Sequence, residues 1–454
     1  MIRKGKTLEK NNIDAIYTLD GKINLFKAFP FGLQHILAMF VANITPVIIV
    51  AAACGLTAKD TAMIIQSAMI IAGIGTFIQL FPLWKVGSGL PIVMGISFTF
   101  VSLACVVGAQ YGYATLMGAV LVGGIVEGLL GLFAKYWIKI ISPIVAATVV
   151  TAIGFSLLSV GASSFGGGAG SADFGSAKNW ILGTVTLLCC IIFNILAKGY
   201  LKQLSVLFGL VVGYILALCM GMVDFSALRG VQIISLPRLI PFGIEFNFNA
   251  IFSFVLIFLV SATETIGDTS ALAASGLDRE VTVKETSGSI ACDGFISSVS
   301  SLFGCMPITS FSQNVGLVAM TKVVNRYAIA TGAFVMVLAG FFPAVGSVLA
   351  TLPDAVLGGC TIMMFGTIVV SGVQMIGKCG YEQRNITIVA LSLSIGLGFT
   401  QCPEIFAHFP SIIRAVFAEN CVALVFVTAI VLNIFLPKDK NSATAEAAQT
   451  KIKE

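Results

Sequence analysis

Two stretches decide the fold: Leu90-Pro91-Ile92-Val93-Met94-Gly95-Ile96-Ser97-Phe98-Thr99-Phe100 and Met306-Pro307-Ile308-Thr309-Ser310-Phe311-Ser312-Gln313-Asn314. Each sets β-branched and aromatic residues beside a proline within otherwise helical, apolar surroundings. Both are expected to start as short extended segments before becoming helix. Extended backbone at membrane depth is tolerated only where protein buries it or where it lines a cavity. Two interruptions at corresponding places in two halves mark a binding site between the halves. The competing reading, that Pro and Gly merely kink packed helices, accounts for either break alone but not for their pairing.

Composition supplies the setting. The chain has 454 residues, of which 57% are hydrophobic and 10% charged, and its mean hydropathy is +1.00. Such a chain cannot cover a soluble globular surface, so this is read as an all-α polytopic membrane protein embedded in a lipid bilayer. Residues 1–27 carry Arg3, Lys4, Lys6, Lys10, Lys22 and Lys27 with no apolar core, and read as a cytoplasmic tail without a cleavable signal. Residues 437–454 read as a second polar tail. Net charge is only +5 and is spread over loops, which excludes nucleic acid as a partner. The 11 cysteines follow no metal or disulfide spacing and read as small hydrophobes; no metal or cofactor is expected.

Cutting at charged and Gly/Pro-rich joints gives fourteen spans: 28–53, 57–82, 90–108, 113–134, 141–162, 180–197, 202–222, 249–272, 287–305, 306–325, 328–350, 353–377, 385–403 and 418–436. An even number places both tails on one side. With the tails inside, inner loops hold eleven basic residues against five outside, as the positive-inside rule requires. The connection 223–248 separates a first half, 28–222, from a second, 249–436, and is expected outside the cell.

Ionisable residues in apolar spans are costly and mark function. Glu264 and Asp268 lie four residues apart at the end of span eight and share a helix face. Two like charges that close disfavour simultaneous ionisation, so one of them can hold a proton. Asp293 in span nine is a third acid, and Gln34-His35 in span one adds an amide and a histidine. Alternatively, the acids cap or bridge helices and His35 only packs. Glu127 in span four has no polar companion nearby in sequence and receives no role.

Together these residues resemble the nucleobase–ascorbate transporters, also called nucleobase-cation-symporter-2. The family signature is Gln, Glu or Pro, then Asn-x-Gly, four residues, Thr and a residue such as Arg, Lys or Gly. It reads here Gln313-Asn314-Val315-Gly316, Leu317 to Met320, Thr321-Lys322. Gln34-His35, Glu264, Asp268 and Asp293 match the family's Gln-His pair and its acids of spans eight and nine. The resemblance implies seven plus seven inverted repeats, with a core of spans one to four and eight to eleven and a gate of spans five to seven and twelve to fourteen. It also implies movement of core against gate, usually in a homodimer. Asn314, Thr321, Lys322 and Gln34 would shape the site.

Substrate choice follows from the polar residues. Uracil members resemble Glu-Asn at the signature and often have His one turn after the span-eight acid, whereas this chain has Gln313 and Asp268, which point to oxidised purines. Glu264 can accept from ring N–H groups, and Gln313 both donates and accepts. Phe100 can stack on the ring, and extended backbone at Thr99 and Phe100 can bond its edge. Phe311, Ser312 and Gly316 complete the candidate substrate contacts, while Asp268, Asp293 and His35 are the candidates for proton coupling. The expectation is a proton symporter of the cell membrane importing xanthine, with urate as a second substrate. A uracil permease is the alternative in the same class, and Na+ is the alternative coupling ion. An anion exchanger or channel should offer positive charge at the broken helices, where this chain is acidic. Enzyme motifs such as His-Glu-x-x-His and Gly-x-Ser-x-Gly do not occur, so the chain is not expected to be an enzyme.

Overall fold

The computed structural model describes residues 15–138, 141–228, 232–418 and 420–437. Its helices are α1 (Leu25–Ala53), α2 (Ala58–Leu80), α3 (Val101–Tyr111), α4 (Tyr113–Leu132), α5 (Pro143–Phe165), α6 (Ala177–Leu196) and α7 (Ser205–Cys219) in the first half. The second half holds α8 (Phe248–Gly276), α9 (Val283–Leu302), α10 (Ser312–Thr321), α11 (Arg326–Gly340), α12 (Pro343–Leu349), α13 (Asp354–Cys379), α14 (Gln383–Gln401) and α15 (Cys421–Phe435). Every one of the fourteen expected spans contains helix. Among the described residues, eight helices are by themselves long and apolar enough to cross a membrane. Span eleven is not the single helix expected from 328–350: α11 and α12 meet at an 84° bend. Pro343 causes this, because it lacks an N–H and excludes helical geometry at Phe342.

The two interruptions are strands. β1 (Met94–Ile96) and β2 (Ile308–Ser310) pair antiparallel, with Met94 opposite Ser310, Gly95 opposite Thr309 and Ile96 opposite Ile308. Three-residue strands leave outward backbone donors that nothing in an apolar interior would satisfy. Side chains meet them. Asn43 Oδ1 accepts from Ile96 N (2.7 Å) and Thr76 Oγ1 from Met94 N (3.0 Å). On the other strand, Ser297 Oγ accepts from Ile308 N (3.1 Å) and Asp293 Oδ2 from Ser310 N (3.0 Å).

Helix packing forms two groups. The first joins α1–α4 with α8–α12, and the second joins α5–α7 with α13–α15. These are the core and gate expected from the resemblance. Packing also repeats when each span is exchanged with the one seven places on: α4 on α9 corresponds to α2 on α11, α4 on α8 to α1 on α11, and α6 on α7 to α14 on α15. Close approach in lipid needs small residues at the crossing. Gly124, Gly128 and Gly131 supply them on α4, where a Cβ at Gly131 would lie 2.3 Å from Ala291 N of α9.

Part of the expected N-terminal tail is folded against the core. The Asn325 amide donates to the carbonyls of Ala15, Thr18 and Gly21 at 3.0, 3.1 and 2.8 Å, while Arg326 pairs with Asp20 and donates to Leu80 O. Residues 1–14 and 438–454 of the expected tails lie outside the described residues.

Candidate functional site

The site is built where β1 and β2 hand over to helix. After Ile96 the chain turns through Phe98–Phe100 into α3, and after Ser310 it passes through Phe311 into α10. Both handovers face α8, the helix that carries the acids. Thr99 Oγ1 donates to Glu264 Oε2 at 2.6 Å. Ser312, in the first turn of α10, donates to Asp268 Oδ2 at 2.7 Å and lies 3.4 Å from Glu264 Oε1. Thr99, Glu264, Ser312 and Asp268 therefore form one chain of hydrogen bonds joining the two broken spans through α8.

Open space adjoins this cluster. Ser312 and Gly316 are exposed, Gln313, Glu264 and Asp268 are half-buried, and nothing lies within 4 Å of where a Cβ of Gly316 would be. A Cβ at Gly267, between the two acids, would meet only Met375 of α13, at 3.7 Å. The acids thus sit at the seam between core and gate. A second contact crosses that seam, where Phe98 meets Phe365 of α13 edge to face with centroids 5.4 Å apart.

Asp293 is placed differently from the other two acids. It is fully buried and accepts from Gln79 Nε2 (3.1 Å), Thr265 Oγ1 (2.7 Å), Ser310 N (3.0 Å) and Ser310 Oγ (2.9 Å). Its carboxylate fastens β2 to α2 and α8, which makes it a support of the site. His35, 2% exposed, contacts Asn314 Nδ2 through Nδ1 at 3.3 Å, and Asn314 also donates to His35 O at 3.2 Å. His35 therefore tethers α10 to α1 and is not brought onto the acids. Gln34 beside it is half-buried.

Several expected contacts differ. The Phe100 ring is fully buried, stacked on Phe254 (6.1 Å) and tilted on Phe258 (4.5 Å), so packing occupies the ring that was expected to stack on a ligand. Phe311 is also buried, against Gly95 of β1, because only a glycine leaves room for the ring there. The extended backbone ends at Ser97, so Thr99 and Phe100 lie in a helical turn; Thr99 reaches the cluster through its hydroxyl. Thr321 bonds Leu317 O within its own helix, and Lys322 turns to Ser275 O and Asp278 at the far end of α8. Sequence reading missed Asn43, Thr76, Gln79 and Ser297, whose signal was a polar side chain in an apolar span.

The profile of the Permease family, Xan_ur_permease, matches residues 26–405. Xanthine permease XanQ of Escherichia coli is 36% identical over 439 residues, covering 93% of this chain and 94% of that protein. Xanthine permease XanP of the same species is 34% identical, covering 95% of this chain and 96% of that one. The nucleobase transporter PlUacP of Paenibacillus larvae is 34% identical, covering 92% and 98%. Among solved structures, the transmembrane domain of the cyanobacterial bicarbonate transporter BicA superposes with a TM-score of 0.54 at 16% identity, covering 91% of this chain and 99% of that one. The murine anion transporter Slc26a9 gives 0.59 at 11% identity, covering 90% and 69%. These two establish likeness of fold alone. The acids beside the paired broken spans, the core and gate, and the match along most of the chain agree: the chain belongs to the Permease family and is a multi-pass membrane transporter.

Proposed function

We propose that the protein imports xanthine, with urate as a second substrate, by proton symport across the cell membrane, both termini being cytoplasmic and the working unit a homodimer. The observation that carries this reading is the cluster of Glu264 and Asp268 with Thr99 and Ser312, open toward Gln313 and Gly316 at the seam of core and gate. An oxidised purine presents adjacent N–H and C=O groups. Glu264 accepts from the ring N–H groups and the half-buried Gln313 amide donates and accepts at the ring edge. A site built of such groups rejects an analogue lacking a donor, because its own acceptors would be left unpaired. The naming of XanQ and XanP as xanthine permeases supports this choice over uracil.

Coupling rests on Asp268. It lies one helical turn from Glu264 and shares the Ser312 hydroxyl with it, so protonation of Asp268 relieves repulsion on the Glu264 carboxylate as substrate arrives. Substrate and proton then favour each other's binding, as symport requires. Asp293 is less suited, since four donor contacts commit it as an acceptor.

Uptake of radiolabelled xanthine, uracil and urate into cells, with and without an uncoupler and with sodium replaced, tests the reading. Concentrative, uncoupler-sensitive xanthine uptake is expected. Uracil preference would establish the alternative permease, sodium dependence would establish the alternative ion, and absence of purine uptake would overturn the substrate.

A further inference from the structure

The connection between the two halves carries an apolar stretch that the core leaves uncovered. Ile233, Ile234, Leu236 and Leu239 are 82%, 62%, 73% and 64% exposed, while Ser235 and Pro237 between them are half-buried. So many large aliphatic side chains turned outward within one short segment mark a contact surface. Hydrogen bonds to the core fix its place. The Ser235 carbonyl accepts from Gln66 Nε2 of α2 (2.8 Å), its hydroxyl donates to Gln66 Oε1 (3.2 Å), and its N–H donates to Phe341 O at the bend between α11 and α12 (3.2 Å). Farther along, Ile240 N donates to Leu302 O at the end of α9, and Glu245 N to Ala114 O of α4.

These bonds set the depth of the segment. The outer end of α2 is marked by the capping box of Thr57 and Asp60 and by exposed Lys59. Gln66 lies seven residues inward of Lys59, about 10 Å along the helix. A headgroup layer is about 5–8 Å deep. With Lys59 at its water side, Ser235 is therefore carried to the level where acyl chains begin. Irregular backbone at that level must find partners in the protein, and both backbone groups of Ser235 have them, while Pro237 and Pro241 have no N–H to satisfy. Arg238 is exposed, and its long stem lets the guanidinium reach back to a lipid phosphate. Phe246 and Phe248, 66% and 69% exposed at the entry to α8, continue the surface with the aromatic character of a membrane boundary. We propose that residues 233–239 are a lipid anchor, seated in the leaflet on the face away from Ala15–Tyr17, with its aliphatic side chains at the acyl boundary and Arg238 among the phosphates. The anchor is bonded to core helices and does not depend on what is transported.

The test uses the full chain with Trp84, Trp137 and Trp180 replaced by phenylalanine, reconstituted in vesicles of phosphatidylcholine and phosphatidylglycerol. Ile234→Trp and Leu236→Trp are then read by fluorescence. Lipid brominated near the headgroup end of its chains should quench both by about twofold, and aqueous acrylamide should quench them little. Quenching by acrylamide and not by brominated lipid would place the segment in water and overturn the proposal. Should the tryptophan-free background fail to accumulate, a photoreactive benzophenone side chain at Leu236 of the otherwise natural chain decides by mass spectrometry. Lipid adducts support the anchor. A cross-linked dimer would make a second copy the occupant, and irradiation without any lipid adduct would leave the segment outside the leaflet; either overturns it.

Discussion

Thr99 donates its hydroxyl to Glu264 across 2.6 Å, tying the turn that follows β1 to the middle of α8. The bond spends one carboxylate oxygen on orientation and leaves the other beside Ser312, facing the open seam. The acid is thus held in place without being fully satisfied, the condition for a side chain that must still accept from a ligand.

Glu264→Gln should weaken xanthine binding strongly while leaving the protein in the membrane. An amide cannot reproduce a charged acceptor for ring N–H groups, and a hydrogen bond to a charged group is worth about 1.5–3 kcal/mol, or roughly tenfold to a hundredfold in affinity. Thr99→Val, which removes only the orienting hydroxyl, should weaken binding by a smaller factor. Equilibrium binding to both purified variants checks this, and near-parental affinity in Glu264→Gln would refute the assignment.

Gln313→Glu alters recognition instead of removing it. The second carboxylate keeps an acceptor but loses the amide donor, so xanthine affinity should fall and competition by uracil should rise relative to the parent. An unchanged competition profile would locate the purine edge elsewhere than α10.

Asp293→Asn is expected to act through stability. Its carboxylate accepts from Gln79, Thr265 and Ser310, and an asparagine turns an N–H₂ toward groups that are themselves donors. Each donor left unpaired costs on the order of 1–3 kcal/mol. The variant should therefore melt at lower temperature in detergent and accumulate less in membranes. Parental melting temperature together with lost uptake would instead return Asp293 to the coupling path.

The division between what was legible in the sequence and what was not follows the range of the interactions. The strands announced themselves locally, through Pro91 and Pro307 among β-branched residues, and Glu264, Asp268 and Asp293 announced themselves by their cost in an apolar span. What seals the strands was not legible, because Asn43 and Thr76 meet β1 from helices up to 53 residues away in sequence. The ring of Phe100 misled for the same reason. Its neighbours Phe254 and Phe258 belong to the other half of the chain, and nothing near residue 100 reveals that they claim it. Glu127 likewise lacks a local partner, and only helix packing brings it toward Ser261 and Asp293.

Asp268→Asn separates proton coupling from recognition. An amide cannot titrate, so concentrative uptake should be lost. Binding should survive, because the substitution resembles the protonated carboxyl and the new amide can still engage the Ser312 hydroxyl that Asp268 holds at 2.7 Å. The sign of the pH effect follows from linkage. In the parent, proton and substrate favour each other, so xanthine affinity should fall as pH rises and Asp268 loses its proton. In the variant that dependence should flatten, with affinity at high pH exceeding the parent's. Equilibrium binding against pH, measured beside uptake with and without an uncoupler, reads both quantities. Uncoupler-sensitive concentrative uptake persisting in Asp268→Asn would move the coupled proton off this residue.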